Sequence, residues 1–195
     1  MKNQARALGC LAGFLVIFVV LYLTGGFQIT WGGPKLSLPT PNPKMALMLS
    51  AAEVAGFEPG PNDPLIEAGG QVVVPSSEQR VFDDRANTLH IEDDLQFYGS
   101  GAAASADYAS FLDATRAVVT SIASYSSPSI GSQSEEYVGT DNSGHSTVAV
   151  DFQEGTVLGV IFVSVFTGNA DAAYAEAVAG AQDQKILKGS TSPSR

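Results

Sequence analysis

Two histidines, one cysteine and three short acidic runs are the residues of this chain best equipped for chemistry. His90 lies in an apolar, strand-like piece, "TLHI", and His145 follows "DNSG" at the start of another. Either histidine beside a serine would make a nucleophile and its base, but no GxSxG turn sets a serine on a sharp elbow. Both therefore read as structural, and no catalytic residue is assigned. The runs Asp83–Asp84, Glu92–Asp94 and Glu135–Glu136 offer hard oxygen atoms of the kind calcium takes, yet none has the alternating spacing that wraps a loop around an ion. Adjacent acids on a strand point to opposite faces, so these runs read as solvated surface charge and no metal ligand is assigned. "YGSG" at 98–101 precedes a helix but lacks the lysine and spacing of a nucleotide cradle. It reads as a turn, and no cofactor is expected.

The cysteine, Cys10, sits inside an uncharged run of 21 residues, "ALGCLAGFLVIFVVLYLTGGF", at 7–27. A domain after that run thus has no disulfide, cysteine metal site or thiol nucleophile of its own. As a helix the run spans about 31 Å, which matches a bilayer's hydrocarbon core. Lys2 and Arg6 precede it and the next basic residue is Lys35, so the N-terminus (1–6) is placed in the cytoplasm and the rest outside. The run is longer than a cleavable signal's apolar core, and only Thr24 with Gly26 offers a small-residue cleavage site. A permanent anchor in the plasma membrane is the preferred reading. Tyr22, Phe27 and Trp31 follow at the outer end, where aromatic rings favour the headgroup layer. Pro34, Pro39, Pro41 and Pro43 then make 28–44 an extended stalk.

Beyond the anchor, eight basic residues face twenty acidic ones, a balance that argues against nucleic acid and against lying flat on anionic lipid. The stretch 45–188 has the length of one domain. In "LSAAEV", Ser50 and Glu53 form a capping box, Leu49 and Val54 a staple, and Gly56 a stop. "QVVVP" at 71–75 reads as a strand, 78–87 is open between helix and loop, and "TLHI" and "LQFYG" read as strand pieces split by the acidic run. Tyr108, Phe111, Leu112, Thr115, Val118, Val119, Ile122 and Tyr125 recur at helical spacing, which predicts one helix over 105–125 capped by Ser105. Three strands follow. "HSTVAVDF" alternates as a half-buried strand, while "TVLGVIFVSVF" at 156–166 is apolar on both faces and is the expected centre of the sheet. An alanine-rich helix at 169–187 closes the domain, with Lys185 and Lys188 near its negative end, and 189–195 reads as a disordered tail. The fold class is α+β: a mostly antiparallel β-sheet packed with helices, preceded by one N-terminal transmembrane helix.

"MALMLSAAEVAGF", "DYASFLDATRAVVTSIASY" and the closing strand and helix from Gly155 resemble, in element order and apolar pattern, actinobacterial exported sensor-type domains such as the extracellular domain of PknH-type receptor kinases. The resemblance implies a ligand- or protein-sensing module on a single membrane helix, and it transfers no catalytic residue. The expected function is non-enzymatic: an anchored outer domain that binds a partner protein or a small ligand, the latter in an apolar pocket between the long helix and the central strand. An accessory subunit of a larger envelope complex is the alternative, favoured slightly by Gly9, Ala12 and Gly13 on the anchor. A hydrolase is the remotest reading.

Overall fold

The computed structural model describes residues 43–56, 65–67, 77–84 and 88–190. The anchor at 7–27, its interface residues Tyr22, Phe27 and Trp31, the stalk up to residue 42, the strand expected at 71–75 and residues 191–195 lie outside them. Among the described residues, no helix is long and apolar enough to cross a membrane.

A 3₁₀ turn, Pro43–Leu47, leads into helix α1, Ala51–Val54. Strands β1 (Leu65–Glu67), β2 (Ser77–Asp84) and β3 (Leu89–Phe97) come next, then helix α2 (Gly101–Val118). Strands β4 (Thr120–Ser126), β5 (Gln133–Thr140), β6 (Ser146–Glu154) and β7 (Val157–Val165) precede the last helix, α3 (Ala172–Ser190). All strand pairs are antiparallel, in the order β1-β2-β3-β7-β6-β5-β4. The fold is α+β as its sequence indicates, with β7 at the centre of the seven strands among the described residues. Every residue from Val157 to Ser164 is buried, which is why that strand shows no polar face.

Helices cover both faces. On one, Tyr174, Ala175, Val178 and Ile186 of α3 pack with Val148, Val150 and Phe152 of β6, Ile161 and Val163 of β7, and Ile91 and Leu95 of β3. On the other, Ala104, Tyr108 and Leu112 of α2 meet Tyr137, Ala149, Leu158, Val160 and Phe162. "HSTVAVDF" is consequently buried on both sides, and the half-buried reading is corrected. Its polar positions Thr147 and Asp151, at most 1% exposed, lie under α2. Phe152 fits because its partner across the strands is Gly159, where a Cβ would run into the ring.

Three local readings also change. The stretch left open after residue 77 is a strand, anchored by the fully buried Phe82. The acidic run 92–94 does not split β3, because Ile91 and Leu95 keep the period-two pattern through it. The long helix begins five residues early, with Ser100 accepting from the Ala103 amide, and it ends at Val118. Val119 turns extended, Ser121 takes φ +48, and residues 120–126 form β4. β-branched Thr120 and Ile122 favour a strand, and pairing with β5 outweighs the helical spacing of Ile122 and Tyr125. At the start of the domain the capping box is formed: the Glu53 amide donates to Ser50 Oγ at 3.4 Å and the Ser50 amide to Glu53 Oε2 at 2.8 Å.

Candidate functional site

The edge made by β4 combines exposure with an absence of charge. All seven of its residues are exposed, and none is acidic or basic. One side pairs with β5 through Thr120–Thr140, Ser124–Val138, Tyr125–Tyr137 and Ser126–Glu136, with a bulge between Thr120 and Ser124. As the last strand of the sheet, β4 turns its other side to solvent among the described residues. Edge strands of this kind template pairing with another chain unless charge, proline or shortness blunts them. Ile122 is 43% and Tyr125 55% exposed.

An aromatic and cationic cluster backs the edge. Tyr137, buried on β5, stacks at a tilt against Tyr125 with ring centres 5.6 Å apart, and the Arg116 guanidinium lies 5.3 Å from the Tyr137 ring. Arg116 donates to Asp113 at 3.0 Å and to Glu135 at 3.2 Å, while the Tyr137 hydroxyl donates to Glu135. Tyrosine and arginine tied by hydrogen bonds beside exposed apolar surface are the composition of interface hot spots. Beneath them Asp151 is fully buried: one carboxyl oxygen accepts from Thr115 Oγ1 at 2.7 Å and the other has no hydrogen-bond partner. Burial raises its pKa well above the ordinary aspartate value, which favours the neutral form in this setting.

The histidines are tied up. His90 Nδ1 lies 2.6 Å from Asp83 and its Nε2 2.9 Å from Glu92. Burial opposes the imidazolium, but these carboxylates outweigh it and lift His90 to about 9, so at neutral pH it already carries the proton a general base would have to accept. His145 contacts Asp141 at 2.9 Å and rests edge-on against Phe166, and Asp141 also accepts from the Ser143 and His145 amides. It fixes a turn.

The acidic runs are not uniformly solvated, which corrects the sequence reading. Asp84 is buried and accepts from the Thr88 amide and hydroxyl at 2.6 and 2.5 Å; Glu136 is buried against Ser126; Asp93 is fully buried. Among the described residues, no group of three or more histidine, cysteine or acidic side chains is placed to hold a metal ion. The β4 edge escaped the sequence reading because Ile122 and Tyr125 continue the spacing of α2; the Thr-Ser-Ile opening of β4 is the signal that separates them. No family model, curated protein or solved structure matches the chain.

Proposed function

We propose that this chain is a non-enzymatic, single-pass envelope protein, anchored by residues 7–27, whose outer domain binds a partner protein by accepting a strand along β4. The uncharged, fully exposed β4 edge carries this reading: backbone groups supply affinity, while Ile122, Tyr125 and Arg116 supply side-chain recognition. The packed cluster of Tyr108, Leu112, Leu158 and Phe162 between the long helix and the central strand weighs for a protein partner over a small ligand held there. The engagement of both histidines by carboxylates weighs against a hydrolase.

The test is a mild-detergent pull-down of the full chain through its C-terminus, with Ile122→Lys and Tyr125→Lys compared with Ile66→Lys on β1. The partner should be retained by the wild type and Ile66→Lys and lost with either β4 lysine, with unchanged circular dichroism. Recovery of a lone monomer, or equal retention by all variants, would sink the proposal. A partner that is itself a multisubunit membrane complex would place the chain as an accessory subunit.

A further inference from the structure

The segment 43–56, which joins the domain to whatever precedes it, is fastened through Leu49. Its amide is shared between Gln182 Oε1 at 3.0 Å and Asp93 Oδ2 at 3.3 Å, and its carbonyl accepts from Arg80 Nη1 at 2.8 Å. Gln182 also donates to the Leu47 carbonyl at 2.6 Å, and the Tyr174 hydroxyl to that of Val54 at 3.0 Å. Asp93 lies at the bottom of this junction, 0% exposed, with Oδ1 lacking any hydrogen-bond partner. Met48, Leu49, Ile91 and Leu95, each at most 1% exposed, belong to the same core.

We propose that Asp93 is a proton-controlled latch for residues 43–56: protonated, it lets the segment sit closed on the sheet, and on losing its proton it loosens that segment. A buried carboxylate with an undonated oxygen is costly, and two relaxations are available. Arg80 stands directly across from Asp93 in the β2–β3 register, so its guanidinium can turn to the new charge, releasing the Leu49 carbonyl. Alternatively Leu49 lifts and admits water. Both cut the same tie.

The charged groups around the latch set its working range. β2 contributes Arg80 and Glu78, with Glu67 of β1 3.8 Å from Arg80 Nε; α3 contributes Lys185, which holds Glu53 of α1 at 2.7 Å. Lys44 of the 3₁₀ turn lies over the Phe97 ring, β7 places uncharged Ile161 opposite, and Asp94 follows on the other face. Burial pushes Asp93 up to about 7, against the Leu49 amide, Arg80 and Lys185, which places the transition near neutrality.

The test is hydrogen exchange on the full chain in detergent micelles, corrected for intrinsic rates, at about pH 5 and about pH 8, with Asp93→Asn and Asp94→Asn. Amides of residues 49–55 in the wild type and Asp94→Asn should lose protection about tenfold or more at the higher pH, while Asp93→Asn holds it. Equal protection of the wild type at both pH values overturns the latch, as does an Asp93→Asn chain that still opens. If that variant does not fold, the carbon-13 titration of the wild-type Asp93 carboxyl decides: its midpoint must coincide with that of the exchange change, and a separate midpoint overturns the proposal.

Discussion

Asp93 and Asp151 hold matching places on opposite faces of the sheet. Each is fully buried on a strand flanking β7, each has one oxygen in a hydrogen bond and one without a partner, and burial raises the pKa of each. They differ in what they hold. Asp151 accepts from Thr115, a side chain of a long helix that is itself packed on the strand. Asp93 accepts from the backbone of a short segment 44 residues upstream, whose own helix is four residues long. A charge forming at Asp151 must strain a whole helix–sheet interface, whereas one at Asp93 can be relieved by moving a strap. The same chemistry acts globally on one face and locally on the other.

The largest expected effect is on stability against pH, to which both carboxyls contribute. Folded Asp93 keeps its proton up to about 7, whereas an aspartate in the unfolded chain releases it near 3.8. Between those values the folded chain holds a proton the unfolded chain has released, so stability falls as pH rises. Fully expressed, this amounts to roughly 4 kcal/mol, or on the order of 10 °C in melting temperature, as an upper bound. Asp151 adds in the same direction. So does His90, whose contribution is complete below 6.5 and lost as pH rises through about 9. Calorimetry should therefore find the domain more stable at about pH 5 than at about pH 8. A flat or rising profile would mean that burial does not raise these carboxyls as described.

Next in size is Thr115→Val, which keeps shape but removes the donor to Asp151. Leaving both oxygens of a buried carboxyl without partners should cost about 1–3 kcal/mol, measured by urea unfolding. The loss should be global, with all slowly exchanging amides shifting together. A loss confined to residues 43–56 would erase the distinction between the two faces.

How much of this was legible in the sequence follows from which forces act locally. The capping box at Ser50 and the central place of β7 were readable, because the first depends on residues three apart and the second on a run with no polar face. The end of α2 was not. Ile122 and Tyr125 fit a helix by spacing, and only pairing with β5, whose residues come 10 to 20 positions later, turns them into a strand. The fates of the acids were hidden for the same reason. Within Glu92–Asp94, alternation says that Asp93 faces opposite to its neighbours, but which face is buried depends on α3 and the leading segment arriving from both ends of the chain. Asp151 in "TVAVDF" lies on the more polar side of an alternating strand, and only α2, packed over that side, buries it.

The smallest expected effect sharpens the contrast within the leading segment itself. Glu53 and Lys185 form an ion pair at 2.7 Å between α1 and α3, on the same segment that Asp93 holds from beneath. The Lys185 hydrogen bond lowers Glu53 from 4.5 to about 2, so its contribution is complete above 4.5 and disappears as pH falls through about 2. It opposes the trend of Asp93 and confines maximum stability to mildly acidic conditions. Glu53 is nearly half exposed, however, and solvent screens the pair, so Glu53→Gln should cost only about 0.5 kcal/mol at neutral pH. Exchange of residues 49–55 in Glu53→Gln should keep the wild-type dependence on pH, with slightly lower protection throughout. If it instead removed that dependence, the surface pair and not the buried carboxyl would govern how the segment is held.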